Sequence, residues 1–285
     1  MGTKSPDRKA FDRQGFTVVR GLLPSTLRKA MLITACRIFG MQADKLGLSP
    51  SPQKGSPLQE LDTLSTLLDE HDPDAFSWAQ DMVSQSHAAA RMGTAKVLTQ
   101  SVSRLLACPE EALLREGGRL VPSLPGNTRR LYTWHSEASW LPLRRNFVNI
   151  WTPLFRPKSR GGGSMWLVPG SHRREPWPFI EWRGHGEDTL GRKDHYLQYD
   201  VPESEIRGLP GICVDAEPGD VVFFHRNLLH RSELNESPHP TYIWVDRHFD
   251  LRADPTLSSN INIRPYSPES VLAGRPGLRL PRPRA

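Results

Sequence analysis

Two histidines and one carboxylate are the residues of this chain with the clearest chemical use. His135 and Glu137 stand two apart in Trp134-His135-Ser136-Glu137, and His230 stands far downstream in Asn227-Leu228-Leu229-His230-Arg231-Ser232. Residues i and i+2 of a strand point to one side, so His135 and Glu137 can share an ion to which a distant histidine adds the third ligand. Two histidines and a carboxylate on one face of a metal leave the other face open, as Fe(II) oxygen chemistry without haem requires. His-x-Glu alone says little in a chain with ten histidines and 31 acidic residues. His225 competes with His230 for the distal place, since it directly follows the apolar run Val221-Val222-Phe223-Phe224.

The surrounding order of motifs raises the signal. Between the ligand segments lies Gly162-Gly163-Ser164-Met165-Trp166-Leu167-Val168-Pro169-Gly170-Ser171-His172. Pro218-Gly219-Asp220 then makes a tight turn before the apolar run, and His230 is followed by Ser232, Asn235 and Ser237. Together with the opening Phe11 to Leu23, this set resembles the phytanoyl-CoA dioxygenase family of Fe(II)/2-oxoglutarate-dependent oxygenases, from about residue 11 to about residue 250. The family's usual carboxylate is Asp, and Glu137 is one methylene longer. The serine and asparagine after His230 favour it over His225, and His172 reads as part of a structural turn.

The resemblance implies Fe(II) at His135, Glu137 and His230, with 2-oxoglutarate as cosubstrate and O2 and a small molecule as substrates. It further implies that Trp151 packs on the cosubstrate and that Ser232 donates to a carboxylate. Asn149, on the same strand face as Trp151, either orients a polar ligand group or is a satisfied structural amide. The distal carboxylate of 2-oxoglutarate needs a cation, preferably an arginine fork. In the family that arginine lies eleven residues after the distal histidine, where this chain has Thr241. Arg247 is the next candidate on the same strand face, although roughly 20 Å farther along an extended strand; Arg130 and Arg129 follow it. Two other classes stay open, the first of them prompted by Thr241. One is an iron oxidase that uses no 2-oxoglutarate, and the other is a binding protein of the same fold without catalysis.

These residues need a scaffold, and the chain's texture suggests one. Helical spacing runs over Thr26 to Phe39, Leu58 to Leu68 and Ala75 to Leu106, whereas Met41 to Pro57 reads as a loop. From Leu120 onward there are short β-type runs: Arg130 to Trp134, Phe147 to Trp151, Met165 to Val168, Ile212 to Val214, Val221 to Phe224 and Tyr242 to Val245. The expectation is a mainly β fold, a double-stranded β-helix (jelly roll, cupin-like) buttressed by N-terminal helices. Residues 1–250 form one domain, with helices mostly in 25–110 and a β core in about 120–250, and residues 251–285 form a basic tail.

The formal net charge is +6, and the tail carries six arginines against Asp254 and Glu269, so the rest is nearly neutral. No nucleic-acid reader motif accompanies the charge. Three scattered cysteines support neither a disulfide framework nor a Cys-based zinc site. No run approaches the roughly 20 apolar residues of a membrane span, and the start lacks a signal-peptide stretch, so a cytoplasmic protein is expected.

Overall fold

The computed structural model describes residues 4–48, 55–128, 131–139, 141, 146–174, 176–182 and 198–253. Helix α1 (Arg8–Gln14) starts at Asp7, whose side chain accepts the Ala10 N–H, and ends at Gly15. Strand β1 (Phe16–Val19) follows, so the opening Phe11 to Leu23 holds the end of a helix and then a strand. Helices α2 (Ser25–Lys45), α3 (Pro57–His71), α4 (Pro73–Ser84), α5 (His87–Gly93) and α6 (Lys96–Leu106) come next. The helix α2 runs beyond Met41, where a loop was expected, because Phe39, Gln42 and Ala43 are still buried and carry the periodicity onward. The stretch from Ala75 to Leu106 is three helices, since Ser86 caps a new start on the Ala89 N–H and the chain turns again at Ala95.

The strands are β2 (Leu113–Arg115), β3 (Arg119–Ser123), β4 (Phe147–Pro153), β5 (Met165–Leu167), β6 (Ile180–Trp182) and β7 (Gln198–Asp200). After the short helix α7 (Glu203–Ile206) come β8 (Ile212–Cys213), β9 (Val221–His225), β10 (His230–Ser232) and β11 (Thr241–Asp250). The large sheet has the order β1-β9-β4-β11-β2, with β3 also on β11, and a smaller sheet has the order β10-β5-β8. All pairings are antiparallel. The two sheets face each other as a jelly roll.

Alternation along the central strands sorts side chains into two layers. Val148, Ile150, Val221, Phe223, Tyr242 and Trp244 point out of the large sheet into the core shared with α2 to α6. Trp151, Val222 and Phe224 point inward, where Met165, Leu167 and Val214 of the small sheet meet them. Every residue of β4 is buried, as expected of a strand covered on both faces. The helices thus stiffen the outer face, and the inner face is left to line a cavity.

Three expectations fall elsewhere. Leu131 to Trp134 form no strand, and His135 makes only an isolated bridge to His230. Glu137 opens a short 3-10 turn, Glu137–Ser139, so the two ligands do not share a strand face; the turn itself brings them together. Arg129 and Arg130 lie outside the described residues, as does the tail from Asp254. Among the described residues, no helix is long and apolar enough to cross a membrane.

Candidate metal centre and cosubstrate cavity

Backbone pairing brings the two histidines together. His135 N–H donates to the His230 carbonyl at 2.9 Å and His230 N–H donates back at 3.0 Å, which sets the rings 4.1 Å apart between centroids. In the turn that follows, Ala138 N–H donates to the Arg226 carbonyl at 3.0 Å, anchoring Glu137 beside them. Glu137 Oε1 lies 3.9 Å from His135 Nε2 and 3.7 Å from His230 Nε2. One ligand atom from each residue lies within 4.8 Å of the others, and among the described residues this is the group of three or more such side chains able to hold an ion.

The ring tautomers suit a metal. His135 Nδ1 is 2.6 Å from the Thr133 carbonyl and His230 Nδ1 is 2.9 Å from the Leu228 carbonyl. A carbonyl only accepts, so each Nδ1 carries the proton and each Nε2 presents its lone pair to the triad, as in metal sites whose histidines are oriented by an outer hydrogen bond. Burial, and then the neighbouring His230, pull the His135 imidazole down to about 3, so it stays neutral. Burial alone would raise the Glu137 carboxyl, but the Arg247 guanidinium and the histidines outweigh it and keep it ionised. Two imidazoles that present Nε2 and one carboxylate are a donor set that divalent iron takes in oxygen chemistry without haem, so the residues fit the ion.

Arg247 is engaged at this centre. Its Nε donates to Glu137 Oε2 at 2.9 Å, and Nη2 donates to the same oxygen, which leaves Oε1 turned toward the histidines. His225 stands apart: its Nδ1 accepts the Asn227 N–H at 3.1 Å, and its ring packs on Phe11 and His172. His172 Nε2 meets the Asp12 carbonyl, tying the turn after β5 to α1.

A cavity of about 520 Å³ opens from the triad into the space between the sheets. His135, Glu137, His230, Asn149, Trp151, Ser232 and Arg247 all line it. Asn149 is buried, and among the described residues neither its Oδ1 nor its Nδ2 has a partner. An amide buried without partners costs about 1–3 kcal/mol, so its natural partner is a polar ligand in the cavity.

Lys158 also lines the cavity, and sequence reasoning missed it. The residue follows β4, and its backbone makes a two-bond bridge with Ala216, both at 2.9 Å. Only 1% of its surface is exposed. Its Nζ donates to the Gly163 carbonyl at 2.6 Å and to Thr241 Oγ1. Among the described residues it has no carboxylate partner within ion-pair reach, and burial pulls the ammonium down to about 7 against the raising influence of Glu233. The one available signal was Thr241 itself: a small hydroxyl where a cation was expected leaves room for a charge from another strand.

A jelly roll with a two-histidine, one-carboxylate centre at one end of an inter-sheet cavity defines a class of metal-site protein. The chain belongs to the phytanoyl-CoA dioxygenase (PhyH) family, whose profile matches residues 11–241. It is 27% identical over 164 residues to 1-deoxypentalenic acid 11-beta-hydroxylase of Streptomyces arenae, covering 56% of this chain and 55% of that protein. It is 30% identical over 114 residues to ectoine dioxygenase of Bordetella parapertussis, covering 38% of this chain and 35% of that protein. The chain spans about half the length of the first curated relatives it matches. Among solved structures, the epimerase SnoN in complex with Fe3+, alpha ketoglutarate and nogalamycin RO shares the fold, with a TM-score of 0.54 and 16% identity over 85% of this chain and 82% of that one.

Proposed function

We propose that this protein is an Fe(II)- and 2-oxoglutarate-dependent dioxygenase that hydroxylates a small molecule. The observation that carries the reading is the triad at the wall of the cavity, with both Nε2 lone pairs and Glu137 Oε1 converging. Family membership and the relatives' printed activities support it. His135, Glu137 and His230 would hold the iron, which when bound supplies the site where O2 and the keto acid react. The balanced outcome is that 2-oxoglutarate, O2 and a C–H bond give succinate, CO2 and an alcohol.

The chain's own residues do the rest. The carbonyls of Thr133 and Leu228 fix the imidazole tautomers, and Arg247 holds Glu137 in one rotamer. Trp151, Met165 and Phe224 line the cavity with apolar surface that excludes water from the reacting groups. Asn149 and Ser232 offer polar groups for orienting the cosubstrate or substrate. The test is to load the protein with Fe(II) without oxygen, add 2-oxoglutarate and a panel of small molecules, admit O2, and measure succinate by mass spectrometry. Succinate that depends on iron and is stimulated by a panel member supports the reading. Oxygen uptake with no succinate would replace it with an iron oxidase that uses no 2-oxoglutarate, the alternative that Thr241 raised.

A further inference from the structure

We infer that Lys158, from the segment after β4, is the cation that receives the distal carboxylate of the cosubstrate, in place of an arginine on β11. The inference rests on the 2-oxoglutarate reading above, and it names a residue and a strand origin that the reading leaves open. Three observations converge. Lys158 Nζ is bonded to Thr241 Oγ1, so its charge stands at the β11 position where the family's arginine would begin. Lys158 and the triad line the same cavity, so a ligand that spans it meets the iron site with one end and an ammonium elsewhere. Arg247, the other described cation on that face of β11, is already paired with Glu137.

The local chain is built to hold a lysine there. Reciprocal backbone bonds to Ala216 pin Lys158, and the Gly163 carbonyl takes one of its protons. Gly163 has φ +69, and a Cβ there would come within 2.6 Å of Ser123 Oγ and 3.2 Å of Lys158 Nζ. A side chain at 163 would thus crowd the ammonium and the hydroxyl beside it. An ammonium has three donors, and the structure assigns two of them, to Gly163 and Thr241. The third can meet a carboxylate oxygen, and Thr241 and Ser123 bring hydroxyls to the same place.

The charge state supports the geometry. The charged group acting on Lys158 is Glu233, whose carboxylate is itself held by the Gly161 N–H at 2.9 Å and Trp166 Nε1 at 3.0 Å. Beside Lys158, β3 and β11 bring the Ser123 and Thr241 hydroxyls, and the charged residues of these strands that line the cavity are each ion-paired, Arg119 with Asp81, Asp246 with Arg115 and Arg247 with Glu137. A buried ammonium near 7 loses its proton readily when the cavity is empty and regains it beside a carboxylate. Binding above pH 7 should therefore take up a proton.

The test is calorimetry on the anaerobic Fe(II)-loaded protein with two keto acids: 2-oxoglutarate, and 2-oxobutyrate, which has the same metal-binding end and no distal carboxylate. Lys158→Met keeps the length and removes the charge. It should weaken 2-oxoglutarate by about tenfold to a hundredfold, the range for losing a hydrogen bond to a charged group, and leave 2-oxobutyrate unchanged. Wild-type protein at pH 8, titrated in buffers of different ionisation enthalpy, should show proton uptake with 2-oxoglutarate and none with 2-oxobutyrate. That second measurement stands even if Lys158→Met does not fold. An unchanged 2-oxoglutarate constant in Lys158→Met, an equal loss for both keto acids, or no proton uptake would overturn the inference while the function stands. Wild-type protein that binds iron and neither keto acid would overturn the function itself.

Discussion

Replacing His230 and His225 in parallel separates the ligand from its neighbour in sequence. Both histidines are candidates by spacing, but their surroundings differ: His230 Nε2 faces Glu137 Oε1 at 3.7 Å, while His225 packs on Phe11 and His172 away from the triad. A structural zinc site with four ligands is worth about 10–16 kcal/mol, so one ligand contributes on the order of 3 kcal/mol. Divalent iron sits lower in the affinity order than zinc, which brings the figure to about 2–3 kcal/mol. His230→Ala should therefore weaken metal binding by roughly thirtyfold to a little over a hundredfold, and His225→Ala should change it by less than about threefold, since no metal-facing atom is lost. The assay is competition against a chromogenic chelator under anaerobic conditions, with circular dichroism confirming the fold. Full affinity in His230→Ala, or a large loss in His225→Ala alone, would refute the assignment of the distal ligand.

Other consequences concern the scaffold. Phe76 is fully buried, edge-on to Phe39 with centroids 5.6 Å apart, so Phe76→Ala should cost about 3–5 kcal/mol in chemical denaturation; a cost under about 1 kcal/mol would mean that the helical layer does not support the sheet. Gly15 has φ +83, and a Cβ there would meet His172 Nδ1 at 2.5 Å and Leu228 Cδ1 at 2.7 Å, so Gly15→Ala should lose more than about 1 kcal/mol by the same measurement. Burial, His172 and Arg226 pull His225 down to about 4 from 6.5, so the unfolded chain takes up the proton first. Stability from this group is full above pH 6.5 and falls as pH drops toward 4, by up to about 1.4 kcal/mol per pH unit. Denaturation midpoints at several pH values should show that slope, and His225→Gln should flatten it.

Much of the fold was readable because its signals are local. The helix α3 follows the helical spacing over Leu58 to Leu68, and β9 follows the turn at Pro218-Gly219-Asp220, where Gly219 has φ +97. Segments set by tertiary contact were harder. Nothing in the residue pattern after Arg130 marks the irregular path that Leu131 to Trp134 take, because that path is set by the bridge between His135 and His230. The triad was legible through residue type and motif order, whereas its geometry arises from a 3-10 turn in place of the expected strand face. Arg247 could be placed on the inner face by alternation, yet alternation could not show that its guanidinium reaches Glu137. Lys158 was invisible because its partner, Thr241, lies on a strand distant in sequence, and a lone lysine after Pro157 looks like any surface charge.

The most direct test of the central claim is isotopic. The iron-loaded protein is allowed to turn over 2-oxoglutarate under 18O-labelled O2, and the succinate formed is weighed by mass spectrometry. Decarboxylation converts the keto carbon to a carboxylate that gains one oxygen atom, so the account predicts singly labelled succinate, none of it formed when His230 is replaced by Ala. Oxygen consumption with no succinate, or succinate carrying no label, would contradict it.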